Sequence, residues 1–286
     1  MVAALSSRSW RALGGGLLAG LCLGYGAVTL AAWRCEACVG YFVFEPDRTL
    51  RAKASDFPFE VHDVRVSPSL HGWWVTGAKP EAKVLLYLHG NEGNVSTNIG
   101  DIAALRELGY SVFMLDYRGY GKSEGAFPSE KTVYEDAEGA WDYLRSRGID
   151  PANVVIYGHS LGAAIAIELA LHHPEAGGLI AESAFTSIPD MAKLKPLYAL
   201  LPTQLLNQQF DSIRKVRRLQ LPVLYIHGTA DEVVPFWMGE ELFRVSGGEK
   251  RFVAVGGGLH DNNAAVGGPL FRREIRDFVE RERHGL

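Results

Sequence analysis

The chain has 286 residues, 47% of them hydrophobic, and its 29 Lys and Arg against 33 Asp and Glu give a net charge of −4. This length suits one or two domains, and without a basic excess or a block of like charge nothing indicates nucleic-acid binding. The three cysteines, Cys22, Cys35 and Cys38, all lie near the N-terminus and define no disulfide framework for the remaining residues.

An apolar segment near the N-terminus predicts a membrane anchor. Residues 1–11 form a short tail before an uncharged run over residues 12–33. A helix of this length extends roughly 33 Å, enough to cross the hydrocarbon core of a bilayer. A cleaved signal peptide is the alternative, but its apolar region usually holds about 7–15 residues. We therefore expect an uncleaved, single-pass anchor in membrane lipid, and basic residues on both sides leave its orientation undetermined.

Residues 34–55 are predicted to form a juxtamembrane linker. They contain Cys35 and Cys38 as a single C-x-x-C pair. A redox pair and a juxtamembrane acylation site are two functional interpretations. One such pair is a weak pattern, and two cysteines without a special role are the favoured interpretation.

From residue 56 to the C-terminus, short apolar runs alternate with helical stretches. This pattern predicts an α/β domain with a mostly parallel, doubly wound eight-stranded sheet and helices on both faces. The predicted strands are 59–66, 73–76, 84–87, 112–115, 154–157, 179–181, 223–226 and 252–255, of which the first two form an antiparallel pair. The predicted helices are 97–108, 129–147, 161–173, 236–245 and 269–283.

A longer segment, residues 185–216, interrupts this alternation between the sixth and seventh strands. It is rich in leucine and too long for a plain crossover. A small helical cap over a functional site, with leucines that receive an acyl chain, is one interpretation. Burial of the same leucines against the sheet is the other, and the sequence does not choose between them.

The sharpest change of pattern lies where the fifth strand meets the helix that follows it, with no intervening loop. The joint is Gly158-His159-Ser160-Leu161-Gly162, a match to G-x-S-x-G. A serine on so abrupt a turn is exposed at the helix N-terminus, where backbone N–H groups favour developing negative charge. The pattern therefore predicts Ser160 as a nucleophile.

A second match to the same pattern, residues 121–125, centres on Ser123. It follows a turn-rich segment and precedes Gly125 and Pro128, so no helix begins there. Because the pattern needs a strand–turn–helix context, Ser123 is predicted to be a loop residue.

The carboxyl ends of the last two strands supply partners for the serine. Functional groups of an open parallel sheet collect at this edge, and here Asp231 follows the seventh strand and His260 the eighth. His260 would take the serine proton as general base, and Asp231 would hold the imidazole in the right tautomer. Glu182, at the end of the sixth strand, is the competing acid. Asp261 is adjacent to His260, so its side chain is expected to diverge.

The oxyanion of an acyl-transfer intermediate needs hydrogen-bond donors. The backbone N–H of Leu161, directly after the nucleophile, is one predicted donor. The other is expected from the loop after the third strand, where the N–H of Asn91 is the best candidate, since Gly90 and Gly93 allow a close approach of the backbone. His89 is expected to fix this loop by hydrogen bonding.

Together these residues resemble the α/β-hydrolase superfamily from about residue 59 to the C-terminus, and within it the membrane-anchored, depalmitoylase-like serine hydrolases. The likeness rests on the predicted anchor and on YFVFEP at 41–46, HGNEGN at 89–94, DYRGYGKSEG at 116–125, GHSLG at 158–162 and SAFTSIP at 183–189. The resemblance implies the α/β-hydrolase fold and ester or thioester hydrolysis through an acyl-enzyme, with no metal and no cofactor. Leu259 departs from the Thr or Gly expected before the histidine.

The sequence thus predicts a membrane-tethered serine hydrolase that acts on an acyl ester or thioester. A serine peptidase of the same fold is the first alternative. A catalytically inactive, membrane-tethered scaffold is the second, and the filled positions 160, 231 and 260 disfavour it. The oligomeric state is not indicated.

Overall fold

The computed structural model describes residue 24 and residues 36–79, 82–195, 203 and 206–281. The predicted tail and, apart from residue 24, the predicted anchor lie outside these residues. Among the residues described, no helix is both long enough and apolar enough to cross a membrane.

Eight strands form one twisted sheet in the order β8-β7-β6-β5-β3-β4-β2-β1. The strands are β1 (Val61–Arg65), β2 (His71–Val75), β3 (Val84–Leu88), β4 (Ser111–Asp116), β5 (Val154–His159), β6 (Gly178–Glu182), β7 (Val223–Gly228) and β8 (Lys250–Val255). Strand β2 is antiparallel to both of its neighbours, and all other neighbouring strands are parallel. The predicted mostly parallel sheet and α/β-hydrolase architecture are confirmed.

Helices cover both faces of this sheet. They are α1 (Glu36–Val43), α2 (Ile99–Glu107), α3 (Glu130–Ser146), α4 (Leu161–His172), α5 (Ile188–Lys193), α6 (Ser212–Lys215), α7 (Phe236–Val245) and α8 (Asn263–Val279). Helix α8 starts earlier than the helix predicted from Pro269, because a short helical stretch joins it across a kink at Gly268, where φ is 45°.

The side chains of the central strands alternate between two hydrophobic cores, one on each face. In β3, Leu86 and Leu88 point into the core beneath α3, α4 and α7, whereas Leu85 and Tyr87 point into the core beneath α2 and α8. All five residues of this strand are buried. Burial on both faces explains why the strands show continuous apolar runs instead of an alternating pattern.

The segment predicted as a linker contributes structure to the domain. Phe44 is only 1% exposed and packs against the rings of Phe127 and Phe210. The next two residues, Glu45–Pro46, pair in a short parallel ladder with Glu92–Gly93. Burial of an aromatic side chain supplies the free energy that orders this stretch.

The predicted cap region is described at its two ends, which contain α5 and α6, and at residue 203 between them. Leu194 is 42% exposed, and Leu206 is half-buried against the core. The other leucines of this segment lie outside the described residues. Both interpretations, a cap over the site and burial against the sheet, therefore stay predictions.

Candidate active site

The site is built on the turn that joins β5 to α4. Ser160 occupies this turn with φ 53° and ψ −119°, a strained conformation that few non-glycine residues adopt. A Cβ on Gly162 would lie 1.9 Å from the carbonyl oxygen of Leu88, and one on Gly158 would lie 2.2 Å from that of Gly162. The two glycines therefore allow helix and strand to approach closely enough for the turn to form.

Three side chains that are distant in sequence meet at the carboxyl edge of the sheet. The Nε2 of His260 lies 2.9 Å from the Oγ of Ser160. On its other side, Nδ1 lies 2.9 and 3.0 Å from the two carboxylate oxygens of Asp231. All three side chains are buried or nearly so. This places a base within hydrogen-bonding reach of the hydroxyl and an acid behind the base.

Several donors hold Asp231 in its ionised form. The N–H groups of Val233 and Val234 donate to its Oδ1, and Nε2 of His227 lies 3.3 Å from its Oδ2. Burial opposes ionisation, but the hydrogen bonds from His227 and His260 outweigh it and keep the pKa of Asp231 well below its usual value. Asp231 is thus a fixed anion beside the imidazole.

His227 is a site residue that sequence reasoning missed. It stands on β7, and its Nε2 also lies 3.0 Å from the carbonyl oxygen of Val234. A Cβ on Gly239 would come within 2.4 Å of its ring, so the glycine makes room for it. The available signal was a histidine in an otherwise apolar strand, four residues before the predicted acid.

The competing candidates are engaged elsewhere. The Glu182 carboxylate accepts a hydrogen bond from the hydroxyl of Tyr157, and the nearest histidine nitrogen to Asp261 belongs to His159, at 3.7 Å. The hydroxyl of Ser123 is fully buried and donates to the carbonyl of Asp116 at 2.6 Å. Glu182 and Ser123 thus have structural partners, and Asp261 faces His159 instead of the ring nitrogens of His260, which bind Ser160 and Asp231.

The loop after β3 lies against the nucleophile. A Cβ on Gly90 would be 3.6 Å from the Cβ of Ser160. The carbonyl of Asn91 accepts hydrogen bonds from Glu45 N–H and the Tyr120 hydroxyl. Within the described part of the chain, the N–H groups of Asn91 and Leu161 have no protein acceptor, which is the condition that the two predicted oxyanion donors must meet.

His89 begins this loop, fully buried between the rings of Tyr117 and Tyr120. Its Nδ1 lies 2.8 Å from the carbonyl oxygen of Gly90, so this nitrogen carries the proton and donates to the loop. Burial lowers the pKa of His89, which favours the neutral ring. Its contacts are those of a residue that fixes the loop.

His159, inside the elbow, supports the loop that carries His260. Its Nε2–H donates to the carbonyl of His260 at 3.1 Å, and the Ser183 hydroxyl donates to the same oxygen at 3.3 Å. Burial disfavours the charged ring, but the carboxylates of Glu182, Asp101 and Asp261 outweigh it and raise the pKa of His159. The structure thus places a second imidazole, whose pKa is raised, against the loop that carries His260.

A cavity of about 830 Å³ opens on Ser160 and His260. The loop that carries Asn91 forms one wall, and Asp101 of α2 forms part of another. Burial and the nearby Glu182 carboxylate raise the pKa of Asp101 to about 6. The cavity is large enough for a small ester or for the end of a larger one.

One trio of potential metal ligands lies close together among the described residues: His159, His260 and Asp261 have ligand atoms within 4.8 Å of one another. Both ring nitrogens of His260 already have partners, Ser160 on one side and Asp231 on the other. This donor set fits a hydrogen-bonded triad better than a metal centre, which would take one of these nitrogens away.

Comparison with known proteins identifies similar sequences. A family model described as "serine aminopeptidase, S33" matches residues 78–214. The chain is 35% identical over 215 residues to the uncharacterised protein Rv2307c of Mycobacterium tuberculosis, covering 73% of this chain and 74% of that one. It is 31% identical over 237 residues to the α/β hydrolase domain-containing protein WAV2 of Arabidopsis thaliana, covering 74% of this chain and 75% of the relative.

Solved structures share the fold. The Pyrococcus furiosus esterase Pf2001 aligns with a TM-score of 0.68 at 20% identity, over 84% of this chain and 98% of the esterase. At this level of identity the likeness bears on the architecture of the sheet and helices, and not on the substrate.

Proposed function

Since this chain belongs to the α/β-hydrolase family, we propose that it is a serine hydrolase that cleaves carboxylic ester or thioester bonds. One observation carries the proposal: Nε2 of His260 lies 2.9 Å from the Ser160 hydroxyl, while its Nδ1 is held by Asp231. A serine hydroxyl is a poor nucleophile without a base in this position.

In the proposed mechanism, His260 removes the proton of Ser160 as its Oγ attacks the carbonyl carbon. Asp231 holds Nδ1–H and stabilises the imidazolium that forms. The imidazolium then protonates the leaving group, which departs as an alcohol or a thiol. The acyl group stays bound to the Ser160 Oγ as an acyl-enzyme. Water, deprotonated by the same histidine, releases the acid and restores the serine.

The developing oxyanion would be bound by the N–H groups of Asn91 and Leu161. Leu161 directly follows Ser160 in the chain. Asn91 follows Gly90, which lies against Ser160 in the cavity wall. Because these donors belong to the backbone of a fixed loop and of a helix N-terminus, they need no reorganisation during the reaction. Loss of one such donor typically costs ~10²–10³ in rate.

A serine peptidase is the second candidate, favoured by the description of the family model that matches residues 78–214. Both reactions use the same triad, but amides are intrinsically less reactive than esters. Parallel assays with a p-nitrophenyl ester and a matched amino-acid p-nitroanilide separate them. Each kcat/KM is divided by the alkaline hydrolysis rate of the same compound, because a serine peptidase also cleaves an activated ester faster than an anilide. We expect the corrected value to be higher for the ester and the activity to be lost in Ser160→Ala, whereas a higher corrected value for the anilide would favour the peptidase.

We further propose that residues 12–33 tether the domain to a membrane. The run is uncharged and long enough to span a bilayer. Helix α1 follows it directly, and its Tyr41 and Phe42 are 66% and 73% exposed, as is typical of aromatic residues at a membrane surface. After cell fractionation, the full chain should stay in the membrane pellet through a carbonate wash, and a variant lacking residues 1–35 should not. Release of the full chain by the wash would contradict this tether.

A further inference from the structure

The cavity that opens on Ser160 has an unusual lining for an enzyme of acyl esters. Ligand cavities are mostly lined by apolar and aromatic side chains. Among the described residues that line this one, Val233 is the single aliphatic side chain, two are the imidazoles of His159 and His260, and the others are glycine, polar or charged. The cavity is a binding site because it holds the proposed nucleophile, and its lining then decides which substrates it accepts.

The charges of this lining are mostly negative. Glu45 and Glu92 face each other across the short ladder, and the charge of Glu45, with some burial, raises the pKa of Glu92. Asp101 and Asp261 lie further along the wall. The two carboxylates repel each other. No described side chain places a cation between them, so this part of the cavity is not neutralised by the described residues.

The positive groups of the lining are already paired. Arg51 binds Asp47 at 2.8 Å, and its side chain is 68% exposed. His159 is occupied by the carbonyl of His260 and lies near Asp261. Among the described lining residues, Glu45 and Glu92 have no ion-pair partner, so negative charge remains at the mouth and along the wall.

This distribution of charge favours a cation. A cleft lined by charge of one sign concentrates ligands of the opposite sign and accelerates their association. A negatively charged substrate would be repelled by it.

We infer that the substrate of this hydrolase carries an alkylammonium group close to its ester or thioester bond, and that Glu45, Glu92 and Asp101 bind this group. The inference rests on the proposed serine-hydrolase function and names the substrate class of the same site. The ammonium group belongs either to the acyl part or to the leaving group, since both occupy the cavity around Ser160.

Two pairs of isosteres test the inference and distinguish the two positions. For the acyl side, the pair is the p-nitrophenyl esters of 4-trimethylammoniobutyrate and of uncharged 5,5-dimethylhexanoate. For the leaving group, it is butyrylthiocholine and S-(3,3-dimethylbutyl) thiobutyrate. Each rate is divided by the alkaline hydrolysis rate of the same compound, which removes differences in intrinsic reactivity.

We expect the cationic member of at least one pair to have a kcat/KM about tenfold higher or more at low ionic strength. This ratio should fall as salt is added, because the cavity mouth is exposed to solvent. It should also rise from pH 5 to pH 8 as Asp101 ionises among its neighbours Tyr87, Glu182, His159 and Asp261, given that the pKa of Asp101 is about 6.

Variants identify the residues responsible. The double variant Glu45→Gln/Glu92→Gln should lower the ratio. Asp101→Asn should reduce its rise with pH and leave the part that comes from loss of positive charge on His159, whose pKa is raised. Glu249→Gln is the matched control, since this exposed acid precedes β8 at the opposite edge of the sheet. The control makes the same change in net charge as Asp101→Asn and half the change of the double variant, and it should leave the ratio as it is.

Three results would overturn the inference. One is a ratio at or below unity in both pairs, and another is an equal effect of the control and of the double variant. The third is failure to cleave any of the four compounds while a fluorophosphonate still labels Ser160. Absence of that labelling would instead overturn the proposed serine-hydrolase function, and the inference with it.

Discussion

The reactivity proposed for Ser160 depends on side chains that do not touch it. His227 and two backbone N–H groups fix the Asp231 carboxylate, and Asp231 in turn fixes the ring of His260. A ring that rotates by a small angle moves Nε2 out of hydrogen-bonding reach of the hydroxyl. Buried partners of this kind therefore matter for rate more than for substrate affinity.

The first prediction concerns His227. Replacement by leucine removes the hydrogen bond to Asp231 and leaves a buried carboxylate with one donor fewer, which costs about 1–3 kcal/mol. We expect His227→Leu to lower kcat by ~10-fold to 100-fold at nearly constant KM. His227→Gln, which keeps a donor, should restore part of kcat. An unchanged kcat in a folded His227→Leu variant would show that this histidine does not position Asp231.

Sequence reasoning could reach some of these residues and not others. Ser160 and His260 stand at positions where strand ends and motifs coincide, so a local pattern identifies them. In the sequence, His227 cannot be distinguished from a histidine of the core. Its role depends on contacts with Asp231 and Val234, in the loop that follows β7. Glu45 lies in YFVFEP, a motif of the resemblance to which no place in the site was assigned, and Asp101 lies outside all the motifs. Only tertiary structure brings these two residues to the cavity.

At the scale of elements, the close crossing of α4 over β3 makes the turn possible. Gly162 lies so near to the backbone of β3 that no side chain fits between them. The contact involves a carbonyl oxygen of a buried central strand, which cannot move without breaking the ladder. The elbow is therefore a property of the helix–strand pair and not of the serine alone.

Gly162→Ala should destabilise the protein, because a Cβ 1.9 Å from the oxygen of Leu88 forces helix and strand apart. We expect a loss of about 2–4 kcal/mol in the free energy of unfolding, measured by urea denaturation. Gly100→Ala, in the exposed first turn of α2, is the control: a Cβ there meets no atom within 4 Å. That variant should be unchanged or more stable by up to about 1 kcal/mol. Equal stability of the two variants would contradict this account of the elbow.

The position of Asp101 on α2 predicts a dependence of stability on pH. Burial and Glu182 raise its pKa in the folded protein to about 6, above the ~3.9 of an exposed aspartate. The folded state then binds this proton more tightly than the unfolded state, so this group makes the protein less stable as pH rises from about 4 to about 6.

Asp101→Asn removes that effect. At pH 7 the variant should be more stable than the parent protein by on the order of 1 kcal/mol, and this difference should shrink towards pH 4. Denaturation curves at several pH values measure it, with Asp142→Asn on the exposed face of α3 as a control. A difference that does not vary with pH would mean that Asp101 titrates as an exposed residue.

At the scale of the whole molecule, the sheet order brings the site together. Strands β5, β7 and β8 deliver the serine, the acid and the base to one edge, since parallel strands all end on the same side. Apolar runs predicted these strands well, because burial on both faces leaves a clear pattern. The packing of residues 36–55 on the domain was not predicted, because its main anchor is a single aromatic residue, Phe44.

The convergence of Ser160, His260 and Asp231 is the central claim, and covalent labelling tests it most directly. The protein is treated with an alkyl fluorophosphonate, and intact mass spectrometry follows the adduct over time. We predict one adduct per chain, mapped to Ser160, absent from Ser160→Ala and formed at least ~100-fold more slowly by His260→Gln. Labelling of Ser160→Ala at the parent rate, or undiminished labelling of His260→Gln, would contradict the account.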